Sequence, residues 1–137
     1  VFRRFLIDTY GVDWLRSCGG VLDIAGGKGE VGFELQNLNG VDATVVDPRP
    51  LNLSSFRRKI KYGLYHRNPM LRPYNINPEW PPEECDLREA TPPRHLRIFF
   101  TSDLIDFVCE DLTDGSGRWD RFWEGAVEEA RQMRWTE

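Results

Sequence analysis

Val21-Leu22-Asp23-Ile24-Ala25-Gly26-Gly27-Lys28-Gly29-Glu30 is the stretch on which the fold turns. An apolar run carrying one acid passes into a glycine cluster, and a helical pattern follows at once. Gly26, Gly27 and Gly29 let the backbone take φ > 0 and come close to a ligand. A helix over 30–39 aims unpaired N–H groups and the positive end of its dipole at the same spot. Its Val31, Leu35 and Leu38 share one face, and Gly40 stands where a helix-ending glycine belongs. Ala43-Thr44-Val45-Val46-Asp47 follows as a strand, apolar enough to be buried on both faces, and closes on an acid eighteen residues after Gly29. A strand over 21–25, a glycine turn, a helix and a strand over 43–47 make a right-handed crossover between parallel strands.

Outward from that unit the chain is mostly helical. Phe2, Phe5, Leu6 and Tyr10 lie at helical spacing before Gly11, and 12–17 forms a second short turn. Both are placed to cover the sheet edge or the ligand mouth. Asp47-Pro48-Arg49-Pro50 forces an extended exit. Ser54 or Ser55 then caps a helix to about 65, with Phe56, Ile60 and Leu64 on one side and Arg57, Arg58, Lys59 and Lys61 on the other. Residues 66–93 hold seven of the nine prolines and read as a long irregular excursion of the lid or binding-loop kind. A third strand is expected over 94–100. Thr101 or Ser102 then caps a helix over 103–110, with Leu104, Ile105 and Val108 on one face. Asp114-Gly115-Ser116-Gly117 reads as a turn. The last helix, over 118–135, carries the apolar stripe Trp119, Phe122, Trp123, Ala126, Val127, Ala130 and Met133.

The 137 residues fit a single domain, and 40% apolar with 29% charged residues is an ordinary globular balance. A net charge of −4 gives no global attraction to nucleic acid, so any such contact is local. Cys18, Cys85 and Cys109 are odd in number and widely spaced; with no C-x-x-C pair they read as reduced thiols of a cytoplasmic protein, with no metal site. No run approaches the roughly 20 apolar residues of a membrane span.

Two cofactor chemistries use such a beginning. Gly27-Lys28-Gly29-Glu30-Val31-Gly32 matches G-x-G-x-x-G, the dinucleotide fingerprint, which leaves an NAD(P)-dependent oxidoreductase as one reading. Asp23 argues against it: a carboxylate at the end of the first strand repels a pyrophosphate and suits an ammonium group. That pattern describes S-adenosylmethionine better than NAD. The stretch Val21–Gly29 resembles motif I of class I S-adenosylmethionine-dependent methyltransferases, D-x-G-x-G-x-G, with Ala25 in place of the first glycine and a slightly wider turn expected there. Val45-Val46-Asp47 resembles the acidic end of that family's second strand.

The resemblance covers roughly residues 18–50. It implies cofactor contacts from Asp23, Ala25, Gly26, Gly27 and Gly29, a ribose grip by Asp47, adenine packing on Pro48, and a Rossmann-like three-layer α/β sandwich. Lys28 is within reach of the methionine carboxylate. Class I methyltransferases are similar in building seven strands, whereas two clear strands and one weaker one are found here. The chain therefore reads as an N-terminal portion of a methyltransferase with extra helices at both ends, or as a degenerate, non-catalytic relative. No catalytic base is assignable, and the methyl acceptor is unknown. The basic run Arg57, Arg58, Lys59, Lys61 reads as a solvated helix face or as a contact for RNA phosphates or another anionic substrate. His66, His95 and the acids Glu83, Glu84 and Asp86 read as surface or structural groups.

Overall fold

A computed structural model describes residues 2–79, 90–109 and 118–132, without the side chains of 108, 118 and 119. The expected turn at 114–117, the stripe members Trp119 and Met133, and Cys85, Glu83, Glu84 and Asp86 lie outside the described residues. Three strands, β1 (Val21–Ile24), β2 (Ala43–Val46) and β3 (Arg94–Leu96), form a parallel sheet in the order β1-β2-β3. Seven helices flank it: α1 (Phe2–Tyr10), α2 (Val12–Ser17), α3 (Glu30–Asn39), α4 (Ser54–Lys61), α5 (Leu64–Arg67), α6 (Ser102–Cys109) and α7 (Arg118–Gln132).

The central strand β2 is buried along both faces, as its β-branched run predicts. Helix α3 lies on the face of Ala43 and Val45, and Gly32 is what lets it come so close. A Cβ at Gly32 would stand 3.1 Å from Val45 and 3.4 Å from Ala43. Val46 faces the other way and is buried with Ile98 and Leu104, under Phe122, Trp123, Ala126 and Val127 of α7. Thr101 caps α6 by accepting the Leu104 N–H at 3.3 Å. Helices thus lie on both faces of a small parallel sheet, an α/β arrangement. No helix among the described residues is long and apolar enough to cross a membrane.

Several boundaries depart from the sequence expectation. Strand β3 stops at Leu96 instead of continuing to 100, because its neighbour runs out: the Asp47 N–H, just past β2, already bonds the Leu96 carbonyl. The helix expected over 54–65 breaks at Tyr62-Gly63. Gly63 adopts φ 64°, returns its N–H to the Ile60 carbonyl, and redirects the chain so that Tyr65 is buried and Leu64 exposed. Neither serine caps α4. Leu53 precedes the helix, and the Ser54 hydroxyl bonds Asn52 instead.

The largest departure is α1. Phe2 and Phe5, expected to pack inward, are 57% and 55% exposed, whereas Arg3 is 2% exposed. The Arg3 guanidinium donates to Asn39 Oδ1 at 2.8 Å, to the Tyr74 carbonyl at 3.1 Å and to Asn75 Oδ1 at 3.2 Å, and it lies 3.3 Å from Glu34 Oε2. Burial disfavours the cation and lowers its pKa, and Glu34 offsets part of that cost. Alongside, Leu6 packs with Leu15, Leu35 and Val41. Both contacts lie toward the C-terminal half of α3, so α1 covers the end of the molecule away from the glycine turn, not the mouth. The described first part of the 66–93 excursion is tied there too. The Ile76 N–H bonds the Leu38 carbonyl at 2.9 Å, and Asn39 Nδ2 reaches the Tyr74 carbonyl. That part acts as a strut behind α3, not as a lid over the turn.

Removing the Arg3 side chain strands Glu34, Asn39 and Asn75 without their donor. Arg3→Ala should cost about 3 to 5 kcal/mol in urea denaturation, and Arg3→Lys should recover only part of that, since one ammonium cannot match a five-donor fork. A loss below about 1 kcal/mol would refute the strut.

Candidate functional site

At the C-terminal ends of β1 and β2 the backbone is shaped around two carboxylates. Chain direction reverses at Ala25, the one non-glycine among the described residues with positive φ, at 55°. Ala25 takes the left-handed conformation that glycine adopts freely, at a strain of about 1 kcal/mol, and its methyl points to solvent. Gly26, unlike Gly27 and Gly29, does not take the expected positive φ; it is close approach that leaves no choice of residue there. A Cβ there would lie 2.6 Å from Asp23 Oδ2 and 2.9 Å from Val45 Cγ1.

Asp23, half-buried beneath this turn, accepts the Gly32 N–H through Oδ2 at 3.3 Å. Gly32 is the third residue of α3, whose N-cap, Gly29, has no side chain to offer. The carboxylate on β1 thus does for α3 what an N-cap side chain ordinarily does. Burial raises the Asp23 pKa above its ordinary value and the charge of Asp47 adds to this, while the Gly32 N–H opposes both.

Asp47 follows β2 and is 1% exposed. Its Oδ2 accepts the Gly27 N–H at 2.8 Å and Arg49 Nη2 at 2.9 Å; its Oδ1 accepts the Arg49 N–H at 2.9 Å and Arg49 Nε at 3.0 Å. Burial alone would raise its pKa, but the Arg49 fork and the two backbone N–H groups outweigh that and hold it below the ordinary value. Behind it, His95 Nε2 stands 2.9 Å from the Asp47 carbonyl oxygen. A carbonyl only accepts, so this nitrogen carries the proton. Arg97 Nε reaches the Pro48 carbonyl at 3.4 Å.

The residues singled out in the sequence therefore converge. Asp23, Ala25, Gly26, Gly27 and Asp47 meet at one turn, with Gly29 opening α3 against Leu51 and Pro48 half-exposed beside Asp47. Lys28 is exposed on the turn. Arg49 was not among them, and His95, read as a surface or structural group, takes a structural place beside Asp47. The Asp-Pro-Arg spacing hints at Arg49, since an extended exit can fold a long side chain back on the acid; nothing local marks His95, whose partner is 48 residues away. The basic helix α4 lies beside the start of α3, where Lys59 Nζ sits 3.2 Å from Glu30 Oε1. A cavity of about 400 Å³ opens at the other end of the sheet, between Cys18, Leu22, Asp42 and Arg94, away from both carboxylates. No group of three or more His, Cys, Asp or Glu among the described residues could hold a metal ion.

The two acids should leave opposite marks on stability. Asp47 has a folded pKa below 3.8, so its stabilisation is present above 3.8 and is lost as pH falls through the folded value. Asp47→Asn should cost about 1 to 3 kcal/mol at pH 7, a deficit that shrinks in acid. Asp23 has a folded pKa above 3.8, so its ionisation destabilises the fold as pH rises from 3.8 through the raised value. Asp23→Asn keeps an acceptor for Gly32 and should equal or exceed the parent at neutral pH. Ala25→Gly should be neutral or gain up to about 1 kcal/mol. Denaturation midpoints across pH 3 to 8 test all three.

Compared with family models, curated proteins and solved structures, the chain finds no match in any of the three.

Proposed function

We propose that this domain binds S-adenosylmethionine and serves methyl transfer, as the cofactor-holding part of a Rossmann-like methyltransferase fold whose full sheet has seven strands. The observation that carries this reading is the pair of carboxylates bracketing the turn. Two of the N–H groups that a pyrophosphate would need, those of Gly27 and Gly32, already serve Asp47 and Asp23. A dinucleotide would bring further negative charge to two acids with little donor capacity left for it, whereas a cationic nucleoside gains from both. In this reading Asp47 takes the ribose, the bare backbone at Gly27 and Gly29 admits the ligand, and Asp23 both braces α3 and faces the ammonium end. The donor, when bound, supplies an electrophilic methyl group for in-line displacement, where positioning alone lowers much of the barrier. What this chain contributes is binding and orientation.

The ribose fit has one condition. Asp47 already has four donors, so a diol finds an acceptor only if one of them leaves. That same saturation favours the second reading, a non-catalytic relative in which the turn is only structural. Calorimetric titration separates these: S-adenosylmethionine should bind, NAD and NADP should not, and Asp47→Ala should abolish binding. Binding of NAD alone would overturn the reading, and binding of neither by the folded chain would favour the structural one.

The methyl acceptor is proposed to be anionic, with RNA the leading class, because Lys59 brings the basic side of α4 to the rim of the turn and Arg58 and Lys61 are exposed there. Reversing Arg57, Arg58 and Lys61 to Glu should weaken RNA retention and reduce its salt slope by roughly one unit per lost phosphate contact. Unchanged retention would dispose of RNA.

A further inference from the structure

A carboxylate offers about four lone-pair positions, two on each oxygen. At Asp47 all four are taken, and their distribution is orderly. Each oxygen accepts one backbone N–H, from Gly27 on Oδ2 and from Arg49 on Oδ1, and one N–H from the Arg49 side chain. Withdrawing the guanidinium would free one position on each oxygen. The two backbone bonds would stay and keep the carboxylate aimed. One acceptor on each of two carboxylate oxygens is the requirement of a vicinal diol presenting two hydroxyl donors.

The partners also differ in how firmly they are held. Asp47 is buried with its side chain 1% exposed, but the Arg49 side chain is 52% exposed and lies on the extended exit after Pro48. Its Nη2 passes over the turn, 3.5 Å from where a Cβ would stand on Gly27. Turning it into water costs the paired state and little packing.

We propose that the Arg49 side chain is a displaceable latch: it occupies on Asp47 the two acceptor positions that a ribose 2′,3′-diol needs, and a nucleoside enters by turning it out to solvent. The proposal rests on the nucleoside reading of the site but is wider than S-adenosylmethionine, since it concerns only the diol. It also sets a sign for salt. The guanidinium is half in water although the carboxylate is buried, so rising ionic strength weakens the pair in part, and the wild-type protein should bind a neutral diol such as adenosine somewhat more tightly at 0.5 M than at 0.05 M salt, where a latchless variant should not.

The test titrates wild type, Arg49→Ala and Arg49→Gln with adenosine, 2′-deoxyadenosine, S-adenosylmethionine and NAD, following the Gly27 amide by NMR. Removing the latch should tighten adenosine and S-adenosylmethionine about tenfold, the scale of one charge-assisted bond, and tighten 2′-deoxyadenosine, which keeps only the 3′-hydroxyl, by distinctly less. If wild type binds S-adenosylmethionine at Gly27 and neither variant binds it more tightly, the latch is wrong and the cofactor reading survives. If the variants gain adenosine and NAD but not S-adenosylmethionine, the latch stands and the cofactor reading falls. If no diol binds any form, both fall. Arg49→Gln carries the test should Arg49→Ala unfold; if neither variant folds, Arg49 is a structural brace and the latch is refuted.

Discussion

A carboxylate removed from water is tolerated only when nearly every lone pair is met, and at Asp47 this demand organises the ends of all three strands. Gly27 must turn its N–H toward β2, which sets the path of the loop leaving β1. Arg49 must fold back over the chain it follows. His95 on β3 holds the backbone of the same residue from the opposite side. One residue, through its carboxylate and its carbonyl, thus ties the glycine turn, the exit from β2 and the edge of β3 into one knot. The shape of the candidate site is the shape of that knot.

The second acid shows why the two aspartates are not interchangeable. Asp23 has one long bond to a helix amide, a desolvated position and a like charge nearby, and its proton affinity rises. Asp47 is the more deeply buried of the two by exposure, yet its four donors turn the balance the other way. Burial gives the magnitude of the problem; partners decide its sign. Asp23 sits where it does because α3 begins on glycine, and a glycine N-cap leaves the third amide of the helix to be satisfied from elsewhere.

These local rules explain how far the sequence can be read. Strand, glycine turn, helix and strand were legible because each depends on neighbours within a few residues: alternation, positive φ, the αL glycine at position 40. Thr101 as a cap was legible for the same reason. Arg3 was not. On a helical wheel it stands on the side of Leu6 and Ile7, where a charge is out of place by composition, and only Glu34, Asn39 and Asn75, brought in from far along the chain, make its burial tolerable. The aromatic spacing of α1 pointed inward by composition, while a polar network turned the helix the other way. Arg49 was missed because spacing alone does not say that a side chain folds back on an acid two residues earlier, and the partner of His95, read as a surface or structural group, lies across the sheet where no periodicity registers it.

The strain at Ala25 gains meaning from the sheet edge it terminates. Among the described residues β1 has one neighbour, and its bonds to β2 run from alternate residues, the Val21 N–H to the Asp42 carbonyl and the Ala25 N–H to the Val46 carbonyl. Leu22 and Ile24 therefore turn their backbone groups to the open side, with side chains 63% and 43% exposed. An apolar open edge invites unwanted strand pairing, and short edges are the usual remedy. Here the edge is cut at both ends by left-handed backbone, Gly20 at φ 105° and Ala25 at φ 55°. Between them Leu22 and Ile24 are the open pairing positions that a further strand of the sheet would use. The conformation that shapes the mouth of the site also sets where β1 stops, so a single strained alanine serves both.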